Sequence, residues 1–364
     1  MIYVVIAFLW ISICLYVITG GADFGAGIVE LFSRKAYRDK TMTIMSKSIA
    51  PIWEANHMWL IIAVVILFVG FPTIYTTVST YLHIPVVLML IGIIARGTAF
   101  TFRNYDAVDD SWKNIYTQIF YYSSLLTPFF LGIIAASTIS RAIDTDARDF
   151  LNLYVFSWLN LFGVCVGFFT VALCAYLASL FSLHEARFSD SLGIMIKKAR
   201  ETAIYVVITG LLVFVSAHYS GIPLIQWIFS KALGIVVISL ATISLLFTNE
   251  AIKKRQFLLV RGLGGFQIIM ILVAATYQHN PNIILFTNGT HLSLFDESAA
   301  PKTIAALGWA LILGSVFILP FLFYLLMSFG DQSRKFKVSH TDTERDDAPP
   351  KKEDDDGILI DKEA

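Results

Sequence analysis

Long apolar runs broken by short polar joints set the pattern of this 364-residue chain. A helix needs about 20 consecutive apolar residues to cross the hydrocarbon core of a bilayer. Nine stretches meet that criterion: 2–31, 52–70, 73–102, 113–140, 149–182, 202–219, 224–248, 257–277 and 303–327. The fold class expected is therefore all-α, a polytopic bundle of nine transmembrane helices. Gly70-Phe71-Pro72 is short enough to join spans two and three as an antiparallel hairpin, and His218 to Pro223 does the same for spans six and seven. The fifth run is long enough to continue beyond the membrane as a helix. Pro85 and Pro128 fall inside spans and are expected to kink them. No internal repeat is evident.

Composition agrees with this pattern. The chain is 57% hydrophobic and 15% charged, with a mean hydropathy of +0.70. A soluble domain carries about a quarter charged residues. The charge is unevenly placed. Residues 331–364 hold 7 Lys and Arg against 11 Asp and Glu, leaving 20 against 16 for residues 1–330. Two regions are thus expected, a transmembrane helical domain over 1–330 and a disordered acidic cytoplasmic tail over 331–364. Cys14, Cys165 and Cys174 lie in apolar segments without CxxC spacing and read as buried thiols. The first run begins at Ile2 with no basic segment before it and no small-x-small cleavage site, which reads as a retained span.

Orientation follows from Lys and Arg in the short loops, which favour the cytoplasmic side. With the N-terminus outside, fifteen lie in inside segments and only Arg141, Arg148, Lys231 and Lys302 lie outside. The expectation is N-out and C-in, with 278–302 as the one long outer loop.

Against this background a few ionisable residues stand out, because charge at membrane depth is expensive and usually functional. Asp23 sits in Gly20-Gly21-Ala22-Asp23-Phe24-Gly25-Ala26-Gly27. Gly21 and Gly25 have the small-xxx-small spacing that lets membrane helices approach closely, with Gly27 beside them. Asp23 is either a polar member of that packing face or a buried acid. Glu54 follows Trp53 one turn into span two, where a first-turn carboxylate is also favoured by the helix dipole. His57 is three residues on, so the two share a face and together could relay protons; alone, such a histidine is commonly a hydrogen-bonded structural residue. Arg96 is a cation deep in span three, about 10 Å further in than Arg103, which is expected to snorkel to the inner surface. With N-out topology Asp23, Glu54, His57 and Arg96 fall at similar depth near the cytoplasmic side. They form either a proton-entry cluster or a structural ion-pair network. The other histidines show no metal spacing. A haem could in principle use His57 or His83, though nothing requires it. No nucleotide motif and no Ser-His-Asp signature is present, and no nucleic-acid partner is expected.

Three motifs in order carry a family resemblance: Gly21 to Gly27 ending span one, Ala-Pro-x-Trp-acid-x-Asn-x-x-Trp from Ala50 to Trp59 (with Trp53, Asn56 and Trp59), and Arg96 to Arg103 ending span three. Together they resemble subunit II of the cytochrome bd-type quinol oxidases (the ubiquinol oxidases among them), as a divergent member, over roughly residues 1–330. The resemblance implies a heterodimer with subunit I in a bacterial inner membrane. Subunit I would carry two b-type haems and one d-type haem and the quinol site, while this chain would bind no haem directly. A structural quinone and a small single-span accessory subunit are further possibilities of the family. The implied reaction oxidises quinol and reduces oxygen to water with cytoplasmic protons. The implied role of this chain is to support assembly of the haem centre and to supply a proton path, with Glu54 first and Asp23 and His57 behind it. Arg96, Arg103, Asn56, Trp53 and Trp59 would be structural or ion-pair residues. The sequence departs from the family where an acid commonly stands, at Gly20 and at Thr101. The alternatives are a proton-coupled membrane transporter and a purely structural membrane subunit.

Overall fold

The computed structural model describes residues 1–105 and 110–321; the side chains of Ala50, Pro51, Ile52, Glu54, Asn104, Tyr105, Asp110 and Ser111 lie outside the description. The chain is a helical bundle: α1 Ile2–Leu31, α2 Arg38–Gly70, α3 Pro72–Tyr81, α4 His83–Tyr105, α5 Asp110–Ile139, α6 Phe150–Tyr154, α7 Leu161–Ala186, α8 Leu192–Tyr219, α9 Leu224–Phe229, α10 Ala232–Lys253, α11 Phe257–Thr276 and α12 Pro301–Phe321. Among the described residues eight single helices are long and apolar enough to cross a membrane, and a ninth span is reached by counting a bent pair, Ala55–Gly70 with Pro72–Tyr81, as one. The multi-pass all-α architecture matches the expectation. Met1–Ser315 form one compact unit, and a second begins at Val316. The tail 331–364 expected to be a separate domain lies outside the described residues.

The bundle centres on α1, and its glycines explain why. A Cβ at Gly25 would lie 1.8 Å from the carbonyl oxygen of Cys174 on α7, and one at Gly27 would lie 2.2 Å from Ser124 Oγ on α5. Helices approach that closely only where the side chain is a hydrogen, as the small-xxx-small spacing anticipated. Between them Ala22, Ala26, Cys174, Leu177 and Ala178 form part of one buried apolar cluster that ties α1 to α7. A second cluster, with Val5, Leu9, Ile66, Phe71, Ile133 and Ile284, closes the opposite end.

Several boundaries differ from the sequence expectation. The run 73–102 is two helices, not one span. Phe71 is fully buried, Pro72 starts α3, and α3 turns 112° from the Ala55–Gly70 part of α2. The hairpin expected at Gly70–Pro72 is therefore replaced by a ten-residue helix across the end of the bundle. Pro85 is the third residue of α4 and does not kink it, because a missing N–H in the first turn breaks no helical bond. Pro128 lies inside α5, which continues to Ile139. The fifth run does not extend as one helix. Asn160 accepts a hydrogen bond from Gly163 N at 2.8 Å and starts α7 there, after the separate short α6. α8 begins at Leu192, ahead of the expected 202, and the seventh run divides into α9 and α10. The last run is described only to Phe321.

The helices alternate in direction, so the N-terminus shares one end of the bundle with the 140–150 and 277–300 segments. Tyr3 packs edge-on against Phe295 with ring centroids 5.6 Å apart. Asn282–Leu285 pairs antiparallel with His291–Ser293, and Ile143 bridges to Phe286. This long loop is thus a small ordered hairpin. The opposite end collects the joints at 32–37, 187–191 and 254–256.

Candidate functional site

The residues singled out by chemistry meet where α1, α2, α4 and α5 converge. Asp23 is fully buried and Arg96 is 1% exposed. Arg96 Nη1 donates to Asp23 Oδ2 at 2.5 Å and Nη2 to Oδ1 at 2.7 Å, a two-pronged guanidinium–carboxylate pair. Nη2 also donates to the Asp23 carbonyl at 2.6 Å, and Nε to Ser124 Oγ at 3.1 Å. The guanidinium lies between aromatic faces, 5.3 Å from the Phe24 ring and 4.9 Å from Phe120. Every N–H of such a group needs an acceptor away from water, and the planar fork suits a carboxylate. Arg96 makes four such bonds, to one carboxylate, one hydroxyl and one main-chain carbonyl.

Asn56 of α2 completes the clamp. It is buried, and its Nδ2 donates to Asp23 Oδ2 at 3.0 Å. Its Oδ1 has no hydrogen-bond partner. That oxygen is 2.9 Å from where a Cβ would stand on Gly20. The Asn56 amide thus fills the space that a side chain at position 20 would occupy. Sequence pattern marked Asn56 only as a motif member; the structure makes it the direct link from α2 to Asp23.

The remaining candidates on α2 fall nearby. His57 Nδ1 donates to Trp53 O at 2.9 Å, and the rings of the two residues meet edge-on at 5.9 Å. Trp53 stacks at a tilt on Phe100 at 5.5 Å and lies over Gly97 of α4, with its Nε1 unpaired. Trp59 is buried further along the same helix. Glu54 belongs to α2 between Trp53 and Asn56; its side chain lies outside the described residues.

A second rung lies below the first. Arg103 does not snorkel. Its side chain is 4% exposed and donates to Glu30 at 2.8 Å, and Glu30 is fully buried. Arg103 Nη2 reaches Ser46 Oγ at 3.4 Å, and its guanidinium stands 4.0 Å from the Phe120 ring, the ring that also faces Arg96. The physical reason is the partner: a fully buried carboxylate within reach holds the cation better than a climb to the surface. Glu30 was not among the sequence candidates because it ends span one and reads as interfacial. The signal was available. Asp23 to Glu30 and Arg96 to Arg103 are both steps of seven, two turns of helix, so two parallel helices repeat the same pairing.

The arrangement can fix charge at depth and hold α4 to α1 across α5. Among the described residues no group of three or more His, Cys, Asp or Glu side chains is placed to hold a metal ion.

The model of the family described as cytochrome bd terminal oxidase subunit II matches residues 1–329. The chain is 30% identical over 155 residues to the cytochrome bd ubiquinol oxidase subunit 2 of Bacillus subtilis (strain 168), covering 42% of this chain and 44% of that one. It is 27% identical over 180 residues to the cytochrome bd-I ubiquinol oxidase subunit 2 of Escherichia coli (strain K12), covering 47% and 46%. A longer match, 25% over 342 residues, reaches the putative cytochrome bd menaquinol oxidase subunit II of Bacillus subtilis (strain 168), covering 90% and 94%. The matched segment thus spans less than half the length of the first two relatives. Among solved structures, a chain of the bd oxidase from Geobacillus thermodenitrificans superposes with a TM-score of 0.72 at 20% identity, covering 90% of this chain and 98% of that one. At that identity the likeness shows the fold.

Proposed function

The chain belongs to the cytochrome bd terminal oxidase subunit II family, and from that premise we propose that it works as the haem-free subunit of a membrane quinol:oxygen oxidoreductase. Its partner is subunit I, in a heterodimer of the bacterial inner membrane. The two b-type haems and the d-type haem of subunit I supply electron transfer and oxygen reduction. A structural quinone and a small accessory subunit fit the same assembly.

Within it the residues of this chain divide into two tasks. Asp23 and Arg96 lock the helices. A carboxylate engaged by both prongs of a guanidinium and by the Asn56 amide is poorly placed to exchange protons, because each transfer would break the pair. It serves as a fixed anion. Glu54 and His57, on the same turn of α2 as Asn56, are the groups left to move protons toward the haem centre from the cytoplasmic end. The observation that supports this reading is the clamp itself: it joins the three motifs of the family resemblance and pins α2 at Asn56, two residues from Glu54.

The second reading is purely structural, and the paired rungs on Phe120 favour it for Asp23, Glu30, Arg96 and Arg103. The test is purification of the tagged chain with what binds it. Haem absorption bands together with quinol-dependent oxygen uptake support the oxidase role. A preparation without haem that moves protons down a gradient would put a transporter in its place.

A further inference from the structure

At the end of the bundle opposite the N-terminus, a pocket of about 570 Å3 opens between the end of α7 and the start of α11. His184 and Arg187 line it from the α7 side, Arg255 and Gln256 from the α10–α11 turn, and Leu258 and Leu259 from the first turn of α11. None of these residues takes part in the clamp.

The pocket carries positive charge that the described residues do not neutralise. Glu185 is turned to Arg261 at 3.5 Å, and Glu250 pairs with Lys253 at 2.6 Å. Neither Arg187 nor Arg255 forms a salt bridge among the described residues. Arg187 instead contacts the ring nitrogens of His184 and lies over the Phe188 ring at 4.8 Å. A guanidinium held against an imidazole and an aromatic face keeps N–H donors for a further acceptor. The start of α11 adds to the same field. Gln256 makes no side-chain capping bond and the first turn holds no acid, so its free N–H groups have no side-chain acceptor in a 20-residue helix.

The rim is apolar. Leu258 is 74% exposed and Leu259 51%, next to the arginines. Exposed leucines beside unpaired arginines, at the end of membrane-spanning helices, match an anion that carries its own hydrocarbon. We propose that this pocket binds the phosphate group of an anionic phospholipid, gripped by Arg187 and Arg255, with the acyl chains running along the α11 leucines.

The test uses the purified complex in detergent, titrated separately with phosphatidylglycerol, phosphatidylcholine and inorganic phosphate while its melting temperature is followed. Saturable stabilisation by phosphatidylglycerol is expected for the unmodified complex. Binding should weaken about fivefold in Arg187→Gln and again in Arg255→Gln, each removing one cation from a headgroup site. Lys197→Gln, at the same end but outside the pocket, should titrate like the unmodified protein. Arg255 is exposed at a turn, so its variant folds even where Arg187→Gln is poorly produced. Equal stabilisation by inorganic phosphate or by phosphatidylcholine would overturn the lipid assignment. So would variants that respond to phosphatidylglycerol as the unmodified complex does.

Discussion

Replacing Arg96 by Met is the perturbation whose outcome follows most directly from the geometry. The Asp23 carboxylate accepts three side-chain hydrogen bonds, two from Arg96 and one from Asn56. The variant leaves the last alone, in a site with no exposure to water. Removing one member of a buried ion pair costs about 3–5 kcal/mol, because the other charge stays desolvated and uncompensated. Asp23→Leu strands Arg96 between two phenylalanine faces and should cost a similar amount. The double variant removes both charges and keeps apolar volume, and such replacements come out near neutral, within about 1 kcal/mol. The cycle therefore predicts a coupling energy of about 5 kcal/mol or more. Equilibrium unfolding of the purified complex in mixed micelles, followed by tryptophan fluorescence, measures it. Single-variant effects that add to the double-variant effect within about 0.5 kcal/mol would refute the clamp as the element joining α1 and α4.

Glycine substitutions should separate contact from propensity. Gly25→Ala places a methyl 1.8 Å from the Cys174 carbonyl and should abolish assembly, whereas Gly193→Ala meets nothing within 4 Å and should stabilise α8 by about 0.5–1 kcal/mol; yield and melting temperature of the complex report both. Glu30→Leu leaves Arg103 buried without its carboxylate and should cost about 3–5 kcal/mol, read in the same unfolding assay. A cost near zero would show that Arg103 can reach the surface after all. At the other end, burial first and the Arg141 charge second hold His279 below its ordinary pKa of 6.5. The unfolded chain then binds a proton more readily, so this residue's stabilising contribution is present above about pH 6.5 and is lost as pH falls from there through the lower folded-state pKa. His279→Asn should flatten the fall in melting temperature between pH 7 and pH 5.

Much of the fold was legible because hydrocarbon imposes a single rule, a long apolar helix for each crossing. The pattern failed where a polar joint did not end a helix or an apolar run did not continue one. Pro72–Tyr81 carries no charge and so reads as part of a span, yet it turns across the bundle because Phe71 buries at the bend and Pro72 starts a new helix. The glycine spacing on α1 predicted close packing and the structure supplied its partners, Cys174 and Ser124. The pairing of Asp23 with Arg96 was within reach of sequence, since equal depth and opposite charge left few other combinations. Asn56 as the third member was not, because an amide in a motif gives no direction. Arg103 misled for a related reason: a cation near a helix end reads as snorkelling unless its acid is recognised, and Glu30 lies in a distant segment. Only the matching seven-residue steps on α1 and α4 connect the two.

We propose that α2, pinned at Asn56 by the clamp, carries protons through Glu54 toward the haem centre of the partner subunit. Quinol-dependent oxygen uptake by the complex carrying Glu54→Gln, with the haem spectrum recorded on the same sample, tests it most directly. The spectrum is expected to stay unchanged and turnover to fall by about 100-fold or more, the scale of a lost acid–base group. Turnover at the unmodified rate with the haems in place would contradict it.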